Sequence, residues 1–367
     1  MNKANGQSYS TTVLTMVILC FVSSLLENSQ ASPIPRDFDK NTVQFIFTKV
    51  SDTNYVPLGT CFGVQVTSVH KPIFWHRFVR IATAILPLRI GAPDIMFRQR
   101  YFVTAKHVLY DEHGDLRPKM YMRLAHETGG VTYLYLNPDL TNGNFHILIP
   151  QDKSVDLAVI ALDRPISQQE LKAAATNNIP KPKLGCFDAS IIADNHKLQK
   201  YNIKEGCEMF FLGLFTPFYG ANENIPICRF GHLAMLPTEP VRIGNDYQHL
   251  YLMETEAWGG NSGSPAFFSF SSRIGSRIAS NGRELNPFFS KRDRNSMLFA
   301  GVVVAYFKDY TPIMMANSTY APNVLAVQNS GITAVVPASY LYEILFSQEE
   351  KQFRDKVFQA QFPTGYK

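Results

Sequence analysis

The sequence predicts an all-β protein, a barrel or sandwich built from many short strands, and three observations lead there. Apolar, β-branched and aromatic runs recur along the chain; Gly, Pro, Asn and Asp punctuate them; and long helical periodicity is nearly absent. The runs are Val43 to Val50, Thr60 to Val66, Arg100 to Ala105, Val131 to Leu136, Leu157 to Leu162, Cys207 to Leu214, His249 to Glu254, Ser296 to Phe307 and Ile332 to Val336. Helical spacing is confined chiefly to Gln168 to Thr176 and to a terminal segment, Ala338 to Phe346. No internal repeat is present.

With 367 residues, 46% of them hydrophobic and 18% charged, the chain has ordinary globular composition and enough apolar material for a large core. A length of this order accommodates two domains or one larger β architecture. The net charge of +5 is spread along the chain rather than gathered on one face or interleaved with aromatics, so nucleic acid is not an expected partner.

The N-terminus reads as a targeting segment. Lys3 lies in a short polar start, Val13 to Leu26 is apolar, and Ser29-Gln30-Ala31 supplies small residues where a signal peptidase cuts. Residues 1–31 are therefore expected to be a signal peptide, with an uncleaved anchor as the alternative, the mature chain starting near Ser32 and exported to the exterior or a periplasm-like space. Cys20 belongs to that segment, which leaves Cys61, Cys186, Cys207 and Cys228. Four cysteines allow up to two disulfides in three pairings, and buried free thiols remain an equal alternative. No CxxC pair and no histidine spacing of a zinc ligand set occurs, so no metal and no cofactor is expected.

Two stretches interrupt the strand pattern like inserts. Residues 70–98 mix Phe74, Trp75, Phe78 and Ile81 with Arg77 and Arg80; packing on the parent fold explains this, with membrane contact as the alternative. Residues 269–295 are polar and basic and read as a loop. After the terminal helix, residues 348–367 read as a tail.

Chemistry concentrates in three places. Gly259-Gly260-Asn261-Ser262-Gly263-Ser264-Pro265 lies between two strand-like runs and crowds glycines around one serine. A nucleophilic hydroxyl has to protrude from a tight turn whose backbone N–H groups face the developing oxyanion, and bulky neighbours obstruct both; Gly260 and Ser262 are the candidate donors. Such a turn also occurs without catalysis. Upstream, Tyr101-Phe102-Val103-Thr104-Ala105-Lys106-His107-Val108 runs an apolar strand into a histidine that could serve as general base. Between them, Asp156 opens the apolar strand Leu157-Ala158-Val159-Ile160, where it could orient an imidazole or stand as a turn residue.

Taken together, Thr104-Ala105-Lys106-His107, Asp156-Leu157-Ala158-Val159 and Gly260-Asn261-Ser262-Gly263-Ser264-Pro265 resemble trypsin-like serine peptidases, in that family's order of His, Asp and Ser. Gly59-Thr60-Cys61-Phe62-Gly63-Val64 is similar to an early strand of the family, and Gly331 to Pro337 to its last strand before the terminal helix, so the resemblance covers most of residues 43–346. Asn261 and the following Gly-Ser-Pro look more like the bacterial glutamyl-endopeptidase and high-temperature-requirement branches than digestive trypsins.

The resemblance implies two six-stranded antiparallel β-barrels with a short C-terminal helix across residues 40–347, and a triad of His107, Asp156 and Ser262. It implies a serine endopeptidase acting on peptides or proteins, with a catalytically inactive binding or envelope protein as the alternative. Glu256, six positions before Ser262, and Val304 and Tyr306 are the candidates for substrate binding; Glu256 as a surface ion-pair residue is the competing reading. Digestive trypsins place an Asp where this chain has Asn261, so activation by ion pairing with a new N-terminus is not expected. No histidine occurs in Leu298 to Lys308, which disfavours a glutamyl preference.

Overall fold

A computed structural model describes residues 39–51, 54–71, 94–136, 145–162, 182–236, 238–243, 246–270, 297–314 and 320–362. The expected signal peptide, most of both inserts and the helical pattern at Gln168 to Thr176 lie outside the described residues.

After a single helical turn, Asp39–Thr42, the first half is a β-sheet. Its strands are β1 (Val43–Lys49), β2 (Tyr55–His70), β3 (Ile95–Thr104), β4 (Met120–Ala125), β5 (Val131–Tyr135), β6 (Phe145–Leu148), β7 (Ala158–Leu162) and β8 (Phe187–Asp188). They pair in the order β5-β4-β1-β2-β3-β7-β6, and the short β8 joins β2 in parallel. The second half contains β9 (Glu208–Gly213), β10 (Ile227–Met235), β11 (Val241–Ile243), β12 (Asp246–Gln248), β13 (Tyr251–Glu254), β14 (Pro265–Ser269), β15 (Met297–Met314) and β16 (Tyr320–Pro337). Six of these close into a barrel, β10-β13-β16-β15-β14-β9, with β11 and β12 forming a separate hairpin.

The all-β expectation therefore holds, and the second half is the six-stranded barrel that was expected. The first half differs: it is an eight-stranded half-barrel whose terminal strands, β5 and β6, do not pair with each other. The C-terminus also goes beyond what was expected. The expected helix forms over Ala338–Leu345, and the segment read as a tail continues into a second helix, Gln348–Gln361. Ser347 caps it by accepting a hydrogen bond from the Glu350 N–H at 3.2 Å.

That second helix lies against the first sheet, with contacts to β2, β3 and β6. His146 on β6 approaches Glu350 at 3.5 Å and meets the Phe353 ring edge-on at 4.8 Å. The Phe358 ring stacks on His70 of β2 at 3.6 Å. Arg354 donates to the Tyr101 hydroxyl at 3.1 Å and to the Leu345 carbonyl at 2.6 Å, and Tyr101 donates to Glu350 at 3.3 Å. Tyr101, Ala161 and His146 are register partners across β3, β7 and β6, so the helix packs on the face of the sheet that their side chains share.

The two halves share one core. Phe62 and Phe187 from the first half pack against Phe267 and Phe299 from the second, with ring centroids 5.0 to 5.7 Å apart. This aromatic cluster fixes how the ends of β2 and β3 face the loop between β13 and β14. No disulfide joins Cys61, Cys186, Cys207 and Cys228, so the thiol alternative applies. Burial pushes the Cys61 thiol well above its ordinary range and the Cys186 thiol up to about 11.

Candidate active site

His107 follows β3 in a single helical turn, Lys106–Leu109. Val108 and Leu109 are buried and anchor that turn, while the Lys106 ammonium holds the Lys153 carbonyl, so the imidazole is left half exposed at the surface. Asp156 precedes β7 between Val155 and Leu157, both buried, which fixes its backbone. Its Oδ1 accepts the His107 backbone N–H at 2.9 Å, and its Oδ2 lies 2.5 Å from His107 Nδ1. An ionised carboxylate only accepts, so Nδ1 carries the proton and the Nε2 lone pair points away from Asp156. Residues 49 apart in sequence are thus joined by two bonds to one carboxylate.

The serine loop is held from several sides. Trp258 to Asn261 form a tight turn in which the Asn261 N–H donates to the Trp258 carbonyl at 3.0 Å and Gly260 takes φ +96°, a conformation that favours glycine. Asn261 is buried; its Oδ1 accepts the Trp258 N–H at 2.8 Å and its Nδ2 donates to the Leu214 carbonyl at 2.8 Å. Beyond it, Gly263 at φ +87° passes so near β2 that a Cβ would sit 1.9 Å from the Thr60 carbonyl oxygen. The Thr60 N–H donates to the Ser262 carbonyl at 2.8 Å, tying the loop of the second half to the first sheet.

Two threonine hydroxyls bracket Gly260. Thr216 donates to the Gly259 carbonyl at 2.9 Å, and Thr60 donates to the Gly260 carbonyl at 2.9 Å while accepting the Leu214 N–H at 2.9 Å. The Thr60 carbonyl in turn accepts from the Thr104 hydroxyl at 2.7 Å. Each hydroxyl fixes one peptide plane next to Gly260. Because carbonyl and N–H point oppositely across a peptide, holding the Gly259 carbonyl on Thr216 turns the Gly260 N–H to the other side. Among the described residues, neither the Gly260 nor the Ser262 N–H donates to a protein acceptor.

Ser262 Oγ donates to the Val304 carbonyl at 3.4 Å, a long bond, and no hydrogen bond joins it to His107 among the described residues. Beside it opens a cavity of 230 Å³ lined by Ala257, Trp258 and Val303 to Tyr306, together with Gly259, Asn261 and Ser262. Of the three substrate-binding candidates, Val304 and Tyr306 line this cavity. Glu256 does not; it is exposed and its neighbour Ala257 takes the wall position.

Residues that sequence reasoning did not single out are Thr60, Thr104, Thr216 and Asn329, whose amide donates to the Ala257 carbonyl at 2.7 Å behind the cavity. Thr60 and Thr104 sit inside quoted motifs, so their place was visible but not their role. For Thr216 and Asn329 no sequence signal existed, since each acts through a contact with a distant backbone carbonyl.

No family model and no curated protein matches the chain. Among solved structures, the MamO protease domain from Magnetospirillum magneticum in its apo form overlaps with a TM-score of 0.39 at 11% identity, covering 83% of this chain and 95% of that one. Rv3671c from M. tuberculosis H37Rv, a serine-to-alanine mutant in an inactive form, overlaps with a TM-score of 0.33 at 13% identity, covering 86% and 94%. Neither likeness is close enough to bear on the chemistry.

Proposed function

We propose that this chain is a serine endopeptidase of the trypsin-like class, with Ser262 as nucleophile, His107 as general base and Asp156 as the residue that orients it. The observation that supports it most directly is the Asp156 carboxylate, which binds both the backbone and Nδ1 of His107 and so keeps the Nε2 lone pair available. A solvated turn aspartate has no reason to engage both groups at once.

The reaction runs as follows from these groups. A substrate carbonyl oxygen sits between the Gly260 and Ser262 N–H groups, and Ser262 Oγ turns from the Val304 carbonyl toward His107. Oγ bonds to the carbonyl carbon as its proton passes to Nε2, and the C=O electron pair becomes the oxyanion that the two N–H groups stabilise. When the oxyanion collapses, the C–N bond breaks and Nε2 returns the proton to the departing amine, leaving an acyl ester on Ser262. Water, deprotonated by His107, repeats the sequence and releases the acid. No metal or cofactor takes part in these steps.

The 230 Å³ cavity is walled by Val303, Val304 and Ala305 with Trp258 and Tyr306, which favours an apolar side chain just before the scissile bond. With Glu256 outside it, cleavage after Arg or Lys has no acidic anchor. Export through the N-terminal segment completes the reading, with proteins outside the cytoplasm as substrates.

A second reading, a protease-fold protein that binds peptides without cutting them, has one observation in its favour: the Ser262 hydroxyl engages Val304 rather than His107. Treatment with a biotinylated fluorophosphonate decides between the two. Covalent labelling of the mature chain, absent in Ser262→Ala, supports the peptidase; no labelling of a folded protein supports the binding module.

A further inference from the structure

A second cavity, of 300 Å³, opens on the other side of the Trp258–Gly259 segment. It shares Trp258, Gly259 and Asn261 with the first cavity, and Leu214, Pro217 and Ile227 give it an apolar wall. Its one charged lining residue is Arg229, on β10 opposite Phe211 of β9. Arg229 is only partly exposed, its Nε is buried without a hydrogen-bond partner, and no ion pair of its guanidinium exists among the described residues.

The contrast with Arg123 shows why this matters. Arg123 is fully buried and its Nε is also unpartnered, but its two Nη groups hold the loop 219–224 through Asn224 Oδ1 at 2.6 Å, the Glu223 carbonyl at 3.0 Å and the Gly220 carbonyl at 2.5 Å. Its role is structural and complete. Among the described residues, the Arg229 side chain makes no hydrogen bond. A buried Nε with its proton unused costs stability, and a carboxylate arriving in that cavity recovers it as a charge-assisted, planar pair.

We propose that this second cavity is a subsite for a carboxylate side chain of the substrate, located after the scissile bond, and that Arg229 is the residue that selects it. The proposal rests on the peptidase reading for its direction. The first cavity, beneath Ser262 and along β15, takes the residue before the scissile bond, so the chain leaving past Gly260 runs to the opposite side of Trp258–Gly259. The apolar wall fits the methylene stem of Glu better than the shorter Asp, and the guanidinium fits its end.

The test reads binding, so that it does not depend on turnover. Full-length mature Ser262→Ala protein is titrated with fluorescein-labelled decapeptides carrying one Phe for the first cavity and Glu one, two or three positions after it. Each is paired with its Gln counterpart, and affinity is followed by anisotropy. One Glu peptide is expected to bind about tenfold more tightly than its Gln partner. That preference should vanish in Ser262→Ala/Arg229→Gln and survive in part in Ser262→Ala/Arg229→Lys, since an ammonium keeps the charge and loses the fork. Equal affinities across every Glu and Gln pair, including no binding at all, overturn the subsite, as does a preference that persists in Arg229→Gln. Failure of fluorophosphonate labelling at Ser262 overturns the peptidase reading instead, so the two are told apart.

Discussion

The hydroxyl of Thr60 donates to the Gly260 carbonyl at 2.9 Å across 200 residues of sequence, and the same oxygen accepts the Leu214 N–H. A side chain on the first sheet thereby sets the plane of a peptide in the serine loop of the second half. That peptide carries the Asn261 N–H, which closes the turn on the Trp258 carbonyl. Thr216 holds the preceding peptide and so sets the Gly260 N–H before any substrate arrives, the preorganisation that makes such a donor effective.

Removing either hydroxyl should therefore act on the chemical step. Thr216→Val, which frees the peptide carrying the Gly260 N–H, is expected to lower kcat about 10²-fold and Thr60→Val, which loosens the turn around it, about tenfold, with KM little changed. Thr60→Val also strands the Leu214 N–H and should cost about 1–3 kcal/mol of stability by urea unfolding. Thr60→Ser and Thr216→Ser should restore kcat, because only the hydroxyl is required. A change confined to KM would assign these threonines to substrate contact instead.

Ser262→Ala should abolish peptide hydrolysis and leave the unfolding midpoint nearly unchanged, since the hydroxyl makes only a long bond to Val304. His107→Ala should fall to the same residual rate, and the double variant should lose little more, because members of a triad act as a unit. Multiplicative losses in a kcat comparison would remove His107 from the role of base.

Asp156→Asn is expected to retain the fold and cut kcat by about 10⁴-fold, because the amide can donate and stabilise the imidazole tautomer whose Nε2 cannot accept. Nuclear magnetic resonance of the His107 ring nitrogens would show the tautomer change directly.

Gly263→Ala and Gly259→Ala should differ sharply. The first forces a Cβ against the Thr60 carbonyl at a φ of +87°, and its relief requires the loop to leave β2, so soluble folded protein should be lost or destabilised by more than about 4 kcal/mol. At Gly259 a Cβ meets nothing within 4 Å, and the unfolding midpoint should scarcely move.

Tyr251 predicts an alkaline limb of stability. Burial raises its hydroxyl pKa from an ordinary 10 to about 12, so between those values the unfolded chain has lost a proton that the folded chain still holds. The unfolded state binds fewer protons there, and stability falls as pH rises, by about 2–3 kcal/mol across the window. Tyr251→Phe should remove that part of the slope in denaturant unfolding at pH 9 to 12.

Much of this architecture was legible because its strands carry plain apolar runs: β1, β7 and β9 begin and end within a residue or so of where the pattern places them. β15 and β16 run well past it, to Met314 and from Tyr320, because their outer parts pair with each other and need no buried face. β4 and β10 were hidden for the opposite reason: Arg123 and Arg229 break their apolar pattern. The second terminal helix could not be read, since its buried residues include Glu350 and Arg354, a polarity that reads as a tail. At the site, His107, Asp156 and Ser262 announce themselves through motifs, whereas Thr216, Asn329 and Arg229 matter through partners, or their lack, that only folding reveals.

The helix Gln348–Gln361 has a consequence for how the chain is made. Tyr101 finds Glu350 and Arg354 only after some 249 and 253 further residues have been added. At roughly 5–20 residues per second, that separates Tyr101 from its partners by tens of seconds of synthesis. Until the helix docks, His70, Phe97 and Tyr101 lack the ring and hydrogen-bond contacts that cover them. A message truncated before Gln348 should therefore yield a product that keeps the whole serine loop yet leaves that face of the first sheet uncovered.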